Sequence, residues 1–139
     1  MNSKHKTIIS ILLLGLVGFD LVYAIMCFFF PELWYKLIHD ADYIDPQGLL
    51  RRTASIWAAF AVFQFIAFLM WQKHPYWLAI VVGLRFSELF ADWTYLYFAQ
   101  DISWSGRLGL LISTPANIGI SLFLLISFLK VNKNTQNSN

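Results

Sequence analysis

The chain has little of what most soluble active sites are built from. It holds a single cysteine, Cys27, in 139 residues, which excludes an internal disulfide and any dithiol redox pair. Its three histidines, His5, His39 and His74, all lie at the ends of apolar runs, so a pair of deep haem ligands is missing. His39 with Asp40, Asp42 and Asp45 is too loosely spaced, with one imidazole, to read as a metal centre; neither metal nor cofactor is expected. Charged residues make up only 13% of the chain, and a net charge of +2 is too small for a nucleic-acid surface. No serine, cysteine or lysine stands near a base at depth, which argues against nucleophilic catalysis.

What is present is apolar sequence. Hydrophobic residues make up 58% of the chain, and its mean hydropathy is +0.58. A soluble domain of this length has too little interior to hide that surface. Four apolar runs, at about 7–30, 49–71, 76–99 and 107–129, each approach the roughly 20 residues that cross a bilayer core. The alternating segments of a spanning barrel are absent. The expected fold is all-α: an integral membrane four-helix bundle, up-down antiparallel because its connections are short.

The longest connection follows the first run. Its residues 31–40, PELWYKLIHD, set Leu33, Trp34, Leu37 and Ile38 at helical spacing, with Glu32, Lys36 and Asp40 facing away. This predicts a short interfacial helix with Trp34 and Tyr35 at headgroup depth. Asp45-Pro46-Gln47-Gly48 and Lys73-His74-Pro75 are turn signals. Residues 131–139 are polar and are expected to be a disordered tail.

Two readings of the first run compete. Lys4, Lys6 and the small residues around Val22-Tyr23-Ala24 follow signal-peptide grammar over residues 1–24. Against removal, the run continues through Phe28, Phe29 and Phe30. With the N-terminus inside, Lys4, Lys6, Lys73, Lys130 and Lys133 are cytoplasmic. Lys36, Arg51, Arg52 and Arg107 lie opposite, some of them engaged by Asp40, Asp42 and Asp45. This margin favours cytoplasmic N- and C-termini.

The third run carries Arg85, Glu88 and Asp92 at steps of three and four, on one helical face. A charge at mid-span costs about 2.5–3.5 kcal/mol on insertion scales, so three cost on the order of 8–10 kcal/mol. The apolar residues of the run return only about 3–6 kcal/mol. Other helices must supply the difference, and ionisable groups at such depth mark a functional site by default. Counting from each run's centre at about 1.5 Å per residue puts Glu88 and Asp20 at one level. Asn117 falls near that level, Gln64 about a turn away toward Arg85, and Asp92 toward Arg51 and Arg52. The expected ligand- or proton-binding set is therefore Asp20, Gln64, Arg85, Glu88, Asp92 and Asn117, facing one interior. Bland readings stand beside it: an Arg85–Glu88 ion pair, with Gln64 and Asn117 as interhelical glue. Three acids against one deep cation leave an acid to be explained.

In architecture the chain resembles the small bacterial DoxX-like membrane proteins: four spans, a longer first connection and an arginine soon after the second span begins, here Leu50-Arg51-Arg52. That resemblance implies the fold and a bacterial inner membrane. The chain is also loosely similar to the sterol-isomerase and sigma-2-receptor group, which places acids and aromatics in a membrane pocket. Here those would be Asp20, Glu88, Asp92, Trp57 and Trp93. Three functions follow as expectations. The first is a transport-related or binding protein whose central acids take a proton, a cation or a small amphipathic ligand. The second is an intramembrane enzyme on a lipid-soluble substrate, with Glu88 or Asp20 as general acid/base. The third is an accessory subunit of a membrane complex. Expected partners are the lipid bilayer, a small hydrophobic or cationic ligand, and a membrane protein or a second copy of the chain.

Overall fold

The computed structural model describes residues 2–99 and 101–136, and among these the chain is all-helical. Five helices follow in order: α1 (Ser3–Phe29), α2 (Pro31–His39), α3 (Leu49–Met70), α4 (Tyr76–Phe98) and α5 (Trp104–Gln136). Helices α1, α3 and α5 are long and apolar enough to cross a membrane. Helix α4 matches them in length but carries Arg85, Glu88 and Asp92.

Local chemistry sets the boundaries. The Asn2 side chain caps α1 by accepting from the Lys4 amide. Phe30 leaves the helical region, and Pro31 starts α2 where a missing N–H costs nothing. Gly48 stands at φ +67 just before α3, a left-handed conformation that glycine takes without strain. Asp45 accepts from the amides of Leu49 and Leu50, each at 2.9 Å, and from the Tyr43 hydroxyl. The Leu50 and Leu49 amides hold its carboxyl below the usual carboxylate range. Asp45 is thus a helix cap rather than a counter-ion for Arg51 or Arg52. Arg51 instead donates to the Phe28 carbonyl at the end of α1.

Contacts along their length lay α3 antiparallel on α1. Trp71 meets Ser10, Gln64 meets Asp20, and Arg51 meets Phe28. Helices α4 and α5 form the second extensive pair, joined by Asp92 and Ser113. His5 and Ser127 bond at 3.0 Å, so the start of α1 lies beside the end of α5. The C-terminal end of α2 docks on the start of α5. The Leu37 carbonyl accepts from the Ser103 and Ser105 hydroxyls, and the Ile38 carbonyl from the Ser103 amide.

The apolar core occupies the end of the molecule where the start of α1 lies beside the later part of α5. Ile9, Leu13, Leu16, Ala67, Trp71, Leu78, Val81, Val82 and Leu124 pack together there. Outward faces also carry large apolar groups; Phe90 is 76% and Tyr97 82% exposed. The fourth apolar run extends beyond its expected limits of 107–129, since α5 starts at Trp104 and continues to Gln136. Elongating an existing helix needs no new nucleus, and Lys133 near its end suits the carbonyl-rich terminus. The expected disorder is therefore replaced by helix over 131–136; residues 137–139 lie outside the described residues.

Candidate functional site

The polar site begins where the apolar core ends. Asp20, on the inner face of α1, is 1% exposed; Gln64 on α3 is 0% and Arg85 on α4 is 1% exposed. Gln64 Nε2 donates to Asp20 Oδ2 at 2.7 Å. Arg85 Nη2 donates to the same oxygen and forms a buried ion pair with it. The guanidinium also stands 5.8 Å from the ring centroid of Phe60, within cation–π range. Three helices therefore meet on one carboxylate oxygen. An ion pair so deep is retained only if most of its polar atoms are paired. Among the described residues, Gln64 Oε1 and Arg85 Nε, and separately Ser121 Oγ on α5, are buried without a hydrogen-bond partner.

Of the expected set, Asp20, Gln64 and Arg85 come together; Arg85 pairs with Asp20 and not with Glu88, so the alternative of an Arg85–Glu88 ion pair is corrected. Equal depth did not decide the partner. The guanidinium carries its charge several bonds from the backbone, and the α1–α3 register brings Gln64 to Asp20.

Glu88 and Asp92 lie one and two turns farther along α4, half-buried. Trp57 stands within hydrogen-bonding range of the Glu88 carboxylate, and Arg85 acts on that carboxylate only through space. Asp92 accepts from the Ser113 hydroxyl, which also reaches the Leu110 carbonyl at 2.9 Å. Ser113 has one hydroxyl proton for these two acceptors. It sits just before Pro115, whose ring displaces the normal helical bonding of α5. Among the described residues, neither Glu88 nor Asp92 forms an ion pair.

Aromatic rings adjoin these acids. Tyr23 on α1 lies within electrostatic range of Asp92 and Glu88. Its ring meets Trp34 of α2 edge-on at 4.7 Å and Trp57 of α3 at 5.3 Å. Trp34, expected at headgroup depth, thus packs inward as well. The sequence signal for this ring contact is weak, because nothing in the spacing of α2 says which neighbour Trp34 meets. Trp93, by contrast, is exposed on the outside of α4 and is no part of the site. Asn117 is buried on α5, yet it is not bonded to Asp20, Gln64 or Arg85. No group of three metal-ligating side chains comes together among the described residues.

The chemistry open to this site follows from its two levels. At the lower, Asp20 is committed to Arg85. At the upper, Glu88 and Asp92, near Tyr23 and Trp57, form no ion pair among the described residues. Comparison with known proteins adds nothing further: no family model, no curated protein and no solved structure matches the chain.

Proposed function

We propose that this chain is a small multi-pass membrane protein that crosses the bilayer four times, up and down, as a bundle of α1, α3, α4 and α5 with α2 in the interface. In this reading Glu88 and Asp92 bind a proton, a cation or a small cationic amphiphile, in a transport-related role. The DoxX-like architecture, a bacterial inner membrane and cytoplasmic termini belong to the same proposal. One observation supports it above the others: the buried arginine is paired with Asp20, so two half-buried acids near Tyr23 and Trp57 form no ion pair among the described residues. Carboxylates with ring faces are the recognised chemistry for an organic ammonium group. Neutralising Arg85 within the bundle also lowers the insertion cost of α4.

The test uses full-length protein in nanodiscs of zwitterionic lipid. Benzyltrimethylammonium binding is measured by calorimetry, and proton uptake by back-titration. Both are expected to be saturable or stoichiometric in the wild type and lost in the Glu88→Gln, Asp92→Asn double variant. Equal cation binding and equal proton uptake in the two proteins would sink the reading.

An accessory role has one observation in its favour. Phe86, Phe90, Trp93 and Tyr97 form an exposed stripe on α4, spaced by four, three and four residues. That is the spacing of a helix–helix seam. Cross-linking through Trp93→Cys to a second copy or another membrane helix would support it.

A further inference from the structure

At the α2 end of the molecule lies a cavity of about 270 Å³ between α2, the 40–48 connection, the start of α3 and the end of α4. Four rings around it touch in series. Tyr43 meets Tyr35 edge-on at 5.8 Å, Tyr35 stacks on His39 at 4.3 Å, and His39 meets Tyr95 at 5.8 Å. His39 Nε2 and the Tyr95 hydroxyl are hydrogen-bonded across helices α2 and α4. Trp34 and Thr53 complete the wall.

The lining tells which ligands are unsuited. Its one carboxylate, Asp45, already accepts three hydrogen bonds, from Leu49, Leu50 and Tyr43. The Thr53 hydroxyl is turned to the Leu49 carbonyl at 2.9 Å. An anion would meet the Asp45 charge, and a cation would have to displace the neutral donors that already hold both Asp45 oxygens. What remains is ring faces, aliphatic carbon and the polar edges of Trp34, Tyr35 and Tyr95, of which the Tyr95 hydroxyl is the one held across two helices, by His39. Whichever of His39 and Tyr95 donates to the other, the Tyr95 oxygen keeps a further hydrogen-bonding position, as proton or lone pair. The rings are already packed on one another, so little side-chain freedom is lost when a molecule settles against them.

We infer that this cavity binds an uncharged, flat, largely apolar molecule carrying a single hydroxyl or carbonyl, with Tyr95 as the group that orients it. At about 30 Å³ for each water-sized unit, the space takes a bicyclic body of about ten heavy atoms. The site draws on none of the central acids and stands whether or not they bind a cation.

The probe is 2-naphthol, with naphthalene as the same body lacking the hydroxyl. Full-length protein in zwitterionic nanodiscs is dialysed against each, and empty nanodiscs correct for partition into lipid. Saturable one-to-one binding of 2-naphthol is expected, about three- to tenfold tighter than naphthalene, the worth of one net hydrogen bond. Tyr95→Phe should bring 2-naphthol down to the naphthalene level and leave naphthalene unchanged. Thr53→Trp, which fills the cavity from its α3 wall, should abolish both; circular dichroism confirms its fold. Excess benzyltrimethylammonium should displace neither. No excess over empty nanodiscs would overturn the inference, and so would 2-naphthol binding that Tyr95→Phe leaves untouched. Displacement by the ammonium probe would overturn it too, assigning the ring wall to a cation instead.

Discussion

Arg85 on α4 and Asp20 on α1, 65 residues apart, form an ion pair that is almost wholly removed from the surface. Gln64 completes it from a third helix. The pair therefore ties α4 to the closely packed α1 and α3, and it divides the interior into an apolar end and an acidic one.

Breaking that pair from one side should be expensive. Arg85→Leu leaves the Asp20 charge buried with only Gln64, and Asp20→Leu leaves a buried guanidinium. Each is expected to cost about 3–5 kcal/mol, whereas the double leucine variant should cost far less than the sum. Unfolding in mixed micelles measures all three. Additive losses would show that the two side chains act separately.

Gly106 offers a sharper steric test. A Cβ there would stand 2.5 Å from the Ile38 carbonyl oxygen and 2.9 Å from the Ile102 side chain, where α2 docks on α5. The close approach lets the Ser103 and Ser105 hydroxyls reach the Leu37 carbonyl. Gly106→Ala should destabilise the protein by about 1–3 kcal/mol, the usual range for overpacking. Gly109→Ala, with nothing within 4 Å of its added carbon, should be harmless. Thermal unfolding followed by light scattering compares them; equal midpoints would mean that α2 is not docked in this way.

The Asp45 cap has a pH signature. Its carboxyl is held down by the Leu50 and Leu49 amides, so the charged form is favoured in the folded protein. A depressed value contributes stability above the unfolded-state value, and that stability is lost as the pH falls through the folded one. Asp45→Ala should therefore lower the unfolding midpoint at neutral pH. Below the ordinary carboxylate value of 3.8 the gap from wild type should close progressively. A gap independent of pH would mean that the charge of Asp45 does not cap α3.

Helix number and rough extent were legible in the sequence because an uninterrupted apolar run has few other uses. Helix α2 was legible for a different reason, the helical spacing of Leu33, Trp34, Leu37 and Ile38. The choice of Asp20 over Glu88 by Arg85 was not. Depth along a helix can be counted, but rotation and register between helices depend on contacts such as Ser10–Trp71 and Phe28–Arg51, which no local pattern encodes. The ring wall was half legible. Tyr35 and His39 stand four apart and so share a face of α2. Tyr95, 56 residues from His39, joins them only once α4 is placed.

In the proposed membrane topology the role of α4 decides how many times the chain crosses, and side-specific labelling separates the outcomes. In a Cys27→Ser background, single cysteines are placed at Ser3, Asp42, Asp101 and Lys133. With four crossings and the N-terminus inside, a membrane-impermeant maleimide applied to intact cells should reach Asp42→Cys and Asp101→Cys. Ser3→Cys and Lys133→Cys should react only after permeabilisation. The bond between His5 and Ser127 requires the last two positions to share a side. If α4 instead lay along the surface, only α1, α3 and α5 would cross, and Asp101 and Lys133 would exchange sides. Labelling of Lys133→Cys but not Ser3→Cys in intact cells would therefore remove α4 from the bilayer. Glu88 and Asp92 would then be surface acids with no need of a ligand.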